Sequence, residues 1–244
     1  MDTPAELTIV IPVFNEGENI LQSLREIQRL VTVPATVSIV YDFEEDSTLP
    51  ALARLEPSFT PVVRKVRNAY GRGVLNAIKT GLETAETELI IVTMADLSDP
   101  PEVMNEMVRE AKRQNAAIVC ASRYMRGGRQ IGGPKFKCFL SRTAGLILYW
   151  VARLPTHDPT NSFKLYRKSF LVTTPIESAG GFELGIELVV KAWKSGYKVC
   201  EVPTVWRDRV AGKSNFKLAK WLPHYLKWFF YAFGFGREKS VRKQ

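Results

Sequence analysis

A continuous apolar run that ends in two aspartates is the feature that most constrains the fold of this chain. Residues 90–95 read Ile-Ile-Val-Thr-Met-Ala, and Asp96 and Asp99 follow before a Pro-Pro pair. Such a run predicts a buried strand of a parallel sheet, and open α/β sheets bind ligands at the carboxyl ends of their strands. Carboxylates there suit Mg²⁺ or Mn²⁺ and, with the metal, a diphosphate. The alternative is that Asp96 only caps the helix that begins near Pro100, although Asp99 is the better placed cap.

Strand-like and helix-like segments alternate along the first half of the chain. We predict strands at residues 7–13, 37–41, 62–66, 88–93 and 116–121, with helices between them. This alternation predicts an α/β fold with a mostly parallel central sheet and helices on both faces. Asn15, Asp42 and Asp96 each follow a predicted strand, so right-handed crossovers would gather them at one edge of the sheet.

The second half is less regular. Residues 124–137 contain two glycine pairs among basic residues, which predicts a mobile basic loop. Helices are predicted at 139–154 and 183–194, and strands at 163–167 and 198–202. From Phe216 onward, aromatic residues recur at helical spacing beside basic ones. This pattern predicts either an interfacial membrane helix or a helix docked on the core, and both can be partly true.

The composition indicates an anionic partner. The net charge is +9 and the pI is about 9.5, which suits nucleic acid, an anionic membrane or phosphorylated ligands. Three scattered cysteines and two histidines argue against a zinc site and favour a reducing compartment. The polar, acidic first residues predict no signal peptide, and we expect no membrane-spanning helix, since none of the apolar stretches reaches about 18–20 residues.

Two motifs are open to more than one interpretation. Gly71, within Gly-Arg-Gly before a helix, predicts either a phosphate cradle or a plain glycine turn. The basic residues form two groups that would either hold two phosphorylated ligands or be solvated loops. They are Arg123, Arg126, Arg129, Lys135, Lys137 and Arg142 in the first group, and Arg207, Arg209 and Lys213 in the second.

Several motifs, taken together and in order, carry a resemblance to a known family. They are residues 11–19 (Ile-Pro-Val-Phe-Asn-Glu-Gly-Glu-Asn), 42–48, Ala95-Asp96 before Pro-Pro-Glu, 122–124 (Ser-Arg-Tyr), 158–163 (Asp-Pro-Thr-Asn-Ser-Phe) and 201–214. The chain resembles the inverting family 2 glycosyltransferases, and among them the dolichyl-phosphate mannose synthases and related polyprenyl-phosphate glycosyltransferases. The resemblance implies a GT-A fold.

The resemblance also implies a domain organisation. Residues 1–215 would form the GT-A catalytic domain, with a nucleotide-sugar half at 1–121 and a mixed acceptor half at 122–215. Independently of the resemblance, the residue pattern predicts that residues 216–244 form an amphipathic aromatic and basic helix with a tail.

The resemblance assigns roles to individual residues. The nucleotide side would hold Pro12, Asn15, Glu16 and Asp42, to which the glycine motif adds Gly71. The metal would lie at Asp96, with Asp99, which follows the same predicted strand, as a substitute ligand that acts directly or through water. The catalytic residues would be Asp96, Arg123 and Arg209. The acceptor side would hold Lys137, Ser141, Asp158, Glu187 and Ser214.

Three departures from the family pattern stand out. Met94 occupies the position of the first aspartate of the metal-binding D-x-D motif, which predicts weakened metal affinity. Asn161-Ser162 replaces the usual Ser-Gly, and Asn215 replaces a lysine.

The resemblance implies inverting transfer of a sugar from GDP-mannose or a UDP-sugar to a dolichyl or undecaprenyl phosphate. The expected location is the cytoplasmic face of a membrane, with peripheral attachment to its anionic surface and an integral membrane protein as a further partner. Nucleic acid is not expected. One alternative is a non-lipid acceptor, for which Asp158, Glu183 or Glu187 would be the base. The other alternative is a non-catalytic subunit that no longer binds the metal, because Met94 stands in place of the first aspartate of the D-x-D motif.

Overall fold

The computed structural model describes residues 4–208 and 218–234, which form nine strands and eight helices in these ranges. The strands are β1 (Leu7–Pro12), β2 (Ala35–Tyr41), β3 (Val62–Arg67), β4 (Leu89–Val92), β5 (Ile118–Ser122), β6 (Arg129–Ile131), β7 (Lys164–Arg167), β8 (Val199–Pro203) and β9 (Val205–Arg207). The helices are α1 (Asn19–Leu30), α2 (Thr48–Leu52), α3 (Val74–Thr84), α4 (Val103–Gln114), α5 (Lys135–Trp150), α6 (Lys168–Thr173), α7 (Leu184–Lys194) and α8 (Leu218–Ala232).

Seven strands form one central sheet in the order β3-β2-β1-β4-β7-β5-β8. The neighbouring pairs are parallel except those of β7, which runs antiparallel between β4 and β5. The mostly parallel sheet and the mixed second half are therefore confirmed. Because β7 begins where β4 and β5 end, it brings the segment before Lys164 to the carboxyl edge of those strands.

Helices cover both faces of the sheet, as predicted. One core contains Leu24 and Ile27 of α1 with Met104 and Met107 of α4. The other contains residues of α3, α5, α7 and α8. The spacing in α1 explains its orientation, because apolar residues three and four positions apart share one helical face. Each large apolar side chain buried there stabilises the fold by roughly 1.5–3 kcal/mol relative to an exposed one.

The segment expected to be a mobile basic loop is folded, so that prediction was wrong. Its residues 129–131 form β6, which pairs in parallel with β9, and α5 begins at Lys135. Gly128 permits the close approach of the chain to the end of β5, since a Cβ there would lie 2.3 Å from the Ser122 carbonyl oxygen. The glycines that suggested mobility instead permit tight backbone packing.

Helix α8 is docked on the core, which is one of the two interpretations that the sequence left open. Trp228 and Tyr231 are buried and belong to the core beside α7. Leu222, Leu226 and Phe230, at four-residue spacing, remain exposed. Among the described helices, none is long and apolar enough to cross a membrane.

Candidate active site

A cavity of about 330 Å³ lies at the carboxyl edge of the central sheet. We call it the edge cavity. It is lined from the segment after β4, the end of β5, α5, the turn before β7, β9 and α8. Its lining residues include Met94, Asp96, Ser98, Asp99, Arg123, Gln130, Lys137, Cys138, Leu140, Ser141, Ala144, Thr160, Asn161, Phe182, Trp206, Asp208, Leu222 and Tyr225.

The segment after β1 is fixed to the segment after β2. The Asn15 amide donates to Asp46 Oδ2 at 3.1 Å, and Asn15 itself has a positive φ of 54°. The Ser47 amide donates to Asn15 Oδ1 at 3.2 Å, and the Glu16 amide donates to Thr48 Oγ1 at 3.1 Å. Asp46 is fully buried and was missed in the sequence, although an aspartate two residues before a helical threonine is typical of a local Asp turn.

Asp42 and the glycine turn form one unit. Asn68 Nδ2 donates to Asp42 Oδ1 at 2.7 Å, and the Gly73 amide donates to Asp42 Oδ2 at 2.9 Å. The Gly71 carbonyl accepts a hydrogen bond from the same Asn68 amide group at 2.7 Å. Because a carboxylate already occupies the Gly73 amide, the structure favours the plain glycine turn over the phosphate cradle. The nucleotide-side candidates lie at the carboxyl ends of β1, β2 and β3 and do not line the edge cavity; they are Pro12, which ends β1, and Asn15, Glu16, Asp42 and Gly71, which follow the strands.

Asp96 and Asp99 both line the edge cavity but differ in environment. Asp96 is half-buried, and its Oδ1 accepts the Ser98 amide at 3.1 Å. Asp99 is buried, and its Oδ1 accepts Asn161 Nδ2 at 3.3 Å. Burial raises the pKa of Asp99 to about 7, and the nearby Asp96 charge adds to the rise. The assignment of Asp99 as a helix cap was wrong, because α4 has its N-cap at Glu102 and no side-chain cap.

The carboxylates fit a divalent cation that arrives with a diphosphate. In the described part of the chain, no three His, Cys, Asp or Glu residues are grouped to hold a metal ion. Mg²⁺ is commonly bound through one or two carboxylates together with substrate phosphates and water. Asp96 with Asp99 behind it suits that arrangement, and Met94 on the cavity wall offers only a weak thioether ligand.

Arg123 is held in place by a buried carboxylate. Asp158 Oδ2 accepts Arg123 Nε at 2.6 Å, and Oδ1 accepts Arg123 Nη2 at 2.9 Å. Asp158 also accepts the Arg123 and Asn161 amides and the Thr160 hydroxyl. Burial alone would raise the pKa of Asp158, but the charge and hydrogen bonds of Arg123 bring it below its ordinary value. Asp158 therefore positions Arg123 and does not itself line the cavity, so its predicted acceptor-binding role stays a prediction.

Glu183 and Glu187 are also structural. Both are fully buried. Glu187 accepts the amides of Glu177 and Ser178 at 2.6 and 2.8 Å and pairs with Lys191 at 2.8 Å. Glu183 accepts the amides of Gly180 and Gly181. Neither lines the edge cavity, and the acceptor-side role of Glu187 stays a prediction.

The other acceptor-side candidates reach the cavity from α5. Lys137 and Ser141, one turn apart, both line it. Ser141 Oγ lies 2.6 Å from Thr160 Oγ1 and accepts Arg123 Nη2 at 3.2 Å. Tyr124, which sequence reasoning quoted in a motif but gave no role, joins Ser141 to Gln130 through its hydroxyl, at 3.0 and 2.9 Å.

Strand β9 connects the two sides of the cavity. The Arg207 amide donates to the Ser98 carbonyl at 2.9 Å, and the Asp208 amide donates to the Ile131 carbonyl at 2.9 Å. Trp206, which precedes Arg207 in β9, lines the cavity. It was missed in the sequence because a single tryptophan carries no pattern. The candidates Arg209 and Ser214, and the substituted Asn215, lie outside the described residues.

The sequence matches the model of the family described as Glycosyl transferase family 2 over residues 8–173. The chain belongs to this family. A dolichol-phosphate mannosyltransferase of Pyrococcus furiosus is 28% identical over 217 residues, which are 87% of this chain and 59% of that protein. A polyprenol monophosphomannose synthase of Mycolicibacterium smegmatis is 26% identical over 235 residues, 89% of this chain and 88% of that protein.

Solved structures confirm the GT-A fold. A glucosyl-3-phosphoglycerate synthase of Mycobacterium tuberculosis, in complex with Mn²⁺, UDP and glucosyl-3-phosphoglycerate, superposes with a TM-score of 0.67 at 14% identity. The superposition covers 96% of this chain and 82% of that one. The same protein in complex with Mg²⁺ and UDP gives a TM-score of 0.65 at 15% identity, covering 96% and 81%.

Proposed function

We propose that this chain transfers a sugar from a nucleoside diphosphate sugar to a polyprenyl phosphate, with inversion, at a membrane surface. One observation carries the proposal: the edge cavity joins a carboxylate edge, an anchored arginine and apolar helix walls. The carboxylate edge suits a nucleotide-sugar with its metal, the anchored arginine suits a phosphate, and the apolar walls suit an isoprenoid chain.

Asp96 is the proposed ligand for Mg²⁺ or Mn²⁺, with Asp99 as the second carboxylate. When bound, the cation offsets the charge that develops on the departing diphosphate. The family relatives named as mannosyltransferase and mannose synthase favour GDP-mannose as the donor. The solved neighbours that contain UDP keep a UDP-sugar as the alternative.

The polar contacts suit a phosphate acceptor. Arg123, Lys137 and Ser141 present charged and hydroxyl donors to the cavity, and charge-assisted bonds to phosphate are strong. A phosphate monoester is already an anion near neutral pH, so the attacking oxygen needs no strong base. The candidate bases Asp158, Glu183 and Glu187 are buried, accept hydrogen bonds from other groups of the protein and do not line the cavity.

The apolar surface near the cavity suits a membrane. Helices α5 and α8 are in contact, and both line the cavity, through Leu140 and Leu222 among others. Their outer faces expose Phe136, Phe139, Ile147 and Trp150 on α5, Val151 directly after it, and Leu226 and Phe230 on α8. Exposed Lys135 and Arg142 stand among them on α5. Apolar residues with basic neighbours favour adsorption to an anionic interface, here proposed to be the cytoplasmic face of a membrane, alongside an integral membrane partner.

A transfer assay tests the reaction. Radiolabelled GDP-mannose, UDP-glucose and other nucleotide-sugars are incubated with the full chain, Mn²⁺ and a short polyprenyl phosphate. We expect a glycosyl phosphate lipid of inverted configuration with one donor. If donors are consumed only with non-lipid acceptors, the acceptor assignment is wrong. If neither transfer nor donor hydrolysis occurs with any combination, the chain is the non-catalytic subunit.

A vesicle flotation assay tests the membrane surface. Trp150→Ser should weaken binding to anionic vesicles at low salt, because this side chain is 66% exposed on α5. The matched control is Val172→Ser, since Val172 is 77% exposed on α6, away from the described cavity lining. Equal binding by both variants and the parent chain would remove α5 from the membrane surface.

A non-lipid acceptor is the second candidate, and one observation favours it. Asp99 lines the cavity with a pKa of about 7, a value that suits a general base acting on a hydroxyl group. Phosphoglyceric acid, present in one solved neighbour, is the hydroxyl acceptor to include in the transfer assay.

A further inference from the structure

Lys164 is a buried lysine that has no carboxylate partner within residues 4–208 and 218–234 and no role in the proposed reaction. Lys164, the first residue of β7, is fully buried inside the central sheet. Its register partners are Val92 of β4 and Cys120 of β5. A lysine is rarely buried unless it is paired, so this position calls for a physical reason.

The ammonium of Lys164 has an unusual set of contacts. Nζ donates to the Asn161 carbonyl. A side-chain carbon at Gly185 would lie 3.4 Å from Nζ, which puts the ammonium beside the first turn of α7. Helix N-termini carry partial positive charge and disfavour a cation. Among the described residues, Lys164 forms no ion pair with a carboxylate within 4.0 Å, so its charge is stabilised poorly, and burial lowers its pKa.

The carboxylates farther away do not neutralise this charge. Asp158 interacts with Lys164 but already pairs with Arg123. Asp99 also interacts with it, but it forms no ion pair with Lys164. The Asn161 carbonyl that accepts this ammonium belongs to the turn whose Thr160 and Asn161 line the edge cavity, so Lys164 lies next to that wall of the cavity.

We propose that Lys164 is a positioning residue for phosphate binding. It fixes the turn that carries Asp158, Thr160 and Asn161, and its buried charge adds positive potential next to that wall of the cavity. The phosphate belongs either to the acceptor or to the donor diphosphate. The inference rests on the proposed function for the identity of these ligands. A poorly compensated buried charge is costly for folding, which is consistent with a role in binding.

The chain offers a matched control in Lys191. It is also a buried lysine, but it pairs with Glu187 at 2.8 Å and Glu177 at 3.0 Å and does not line the cavity. Lys191→Met should lower the melting temperature and leave phosphate affinity unchanged. Lys164→Met removes a charge that has no close partner. The melting temperature of this variant should therefore fall less than that of Lys191→Met, or rise.

Calorimetric titration of the full chain tests the inference, with farnesyl phosphate for the acceptor side and inorganic pyrophosphate for the donor side. Lys164→Met should weaken binding of at least one probe by about tenfold, as expected for one nearby charge. Lys164→Arg, which keeps the charge, should recover most of that affinity. The probe that is affected identifies the phosphate that Lys164 serves.

Three results would overturn the inference. These are a parent chain that binds neither probe, unchanged affinity in Lys164→Met, and an affinity loss that Lys164→Arg does not restore. The proposed function fails separately: Lys164-dependent binding of a probe without any transfer to polyprenyl phosphate would reject the reaction and keep the inference. If the parent chain and Lys164→Met both transfer sugar to polyprenyl phosphate and bind the probes equally well, the reaction is kept and the inference about Lys164 is rejected.

Discussion

Asp158→Asn is the substitution that most directly tests how the site is built. The side chain keeps its shape but loses the negative charge that holds Arg123. The new NH2 group also faces the N–H groups of Arg123, so two hydrogen-bond donors oppose each other. Five hydrogen bonds converge on the original carboxylate, from Arg123, Thr160 and Asn161. Asp158 is fully buried and Arg123 keeps only 11% of its side chain exposed, so little water is available to replace the lost contacts.

The expected magnitude follows from this burial. Removing one partner of a buried ion pair costs about 3–5 kcal/mol of unfolding free energy. For a chain of this size, each kcal/mol changes the melting temperature by roughly 2–4 °C. We therefore expect a fall of about 10 °C in thermal unfolding followed by circular dichroism. The KM for the phosphate acceptor should rise as well, since Arg123 loses its orientation.

A double-mutant cycle with Arg123→Met separates the two effects. The double variant should be more stable than the sum of the single losses indicates, because neither charge is then left alone, while the acceptor KM stays high. Additive stability losses, or a normal acceptor KM in folded Asp158→Asn, would refute the positioning role.

The same pair predicts the pH dependence of stability. Arg123 lowers the pKa of Asp158 despite burial. The stabilisation is therefore present above the ordinary carboxyl pKa near 3.8 and is lost as the pH falls through the lower, folded value. Acid unfolding curves of the parent chain and Asp158→Asn should converge below pH ~4.

Three further substitutions test the other parts of the edge cavity. Asp96→Asn, nearly isosteric, should remove most transfer activity and leave the far-ultraviolet circular dichroism unchanged; near-normal turnover would reject a metal-binding role. Met94→Asp should strengthen Mn²⁺ binding measured calorimetrically, because it replaces a thioether by a carboxylate, and tight Mn²⁺ binding by the parent chain without nucleotide would contradict this. Lys137→Ala should raise the acceptor KM by a factor that corresponds to roughly 1.5–3 kcal/mol. Lys135→Ala should leave the KM unchanged, because Lys135 is exposed on the same helix and outside the cavity. Equal effects of the two substitutions would mean that Lys137 acts only through the overall positive charge of the helix and not through a direct phosphate contact.

Much of the fold could be predicted from the sequence because the first half obeys simple periodicity. The strands that end near Asn15, Asp42 and Asp96 were predicted within a few residues, since each apolar run is bounded by turn residues. Helix α5 was placed four residues late, at Phe139 instead of Lys135. Its first turn is basic and follows two glycine pairs, a composition that is more typical of a loop.

The site was harder to predict because it depends on partners that are distant in sequence. Asp158 could be assigned to the acceptor half. Composition and spacing do not reveal that it forms an ion pair with Arg123, which lies 35 residues earlier in the chain. Glu187 follows the helical pattern of α7 and gave no sign that its carboxylate holds the amides of Glu177 and Ser178. Lys164 would be expected at the surface, since lysine seldom lies in a core.

The antiparallel insertion of β7 has a consequence for the order in which the molecule can be assembled during synthesis. Strand β5 leaves the ribosome before both of its sheet neighbours, β7 and β8. The nascent chain therefore presents the edge of β4 and an unpaired β5 until residues 164–167 are available. Open strand edges of this kind are prone to intermolecular pairing, and pairings between distant segments slow folding. A truncation that stops before β7 should therefore yield an aggregating fragment, and the two halves of the active site are expected to form in a single late step.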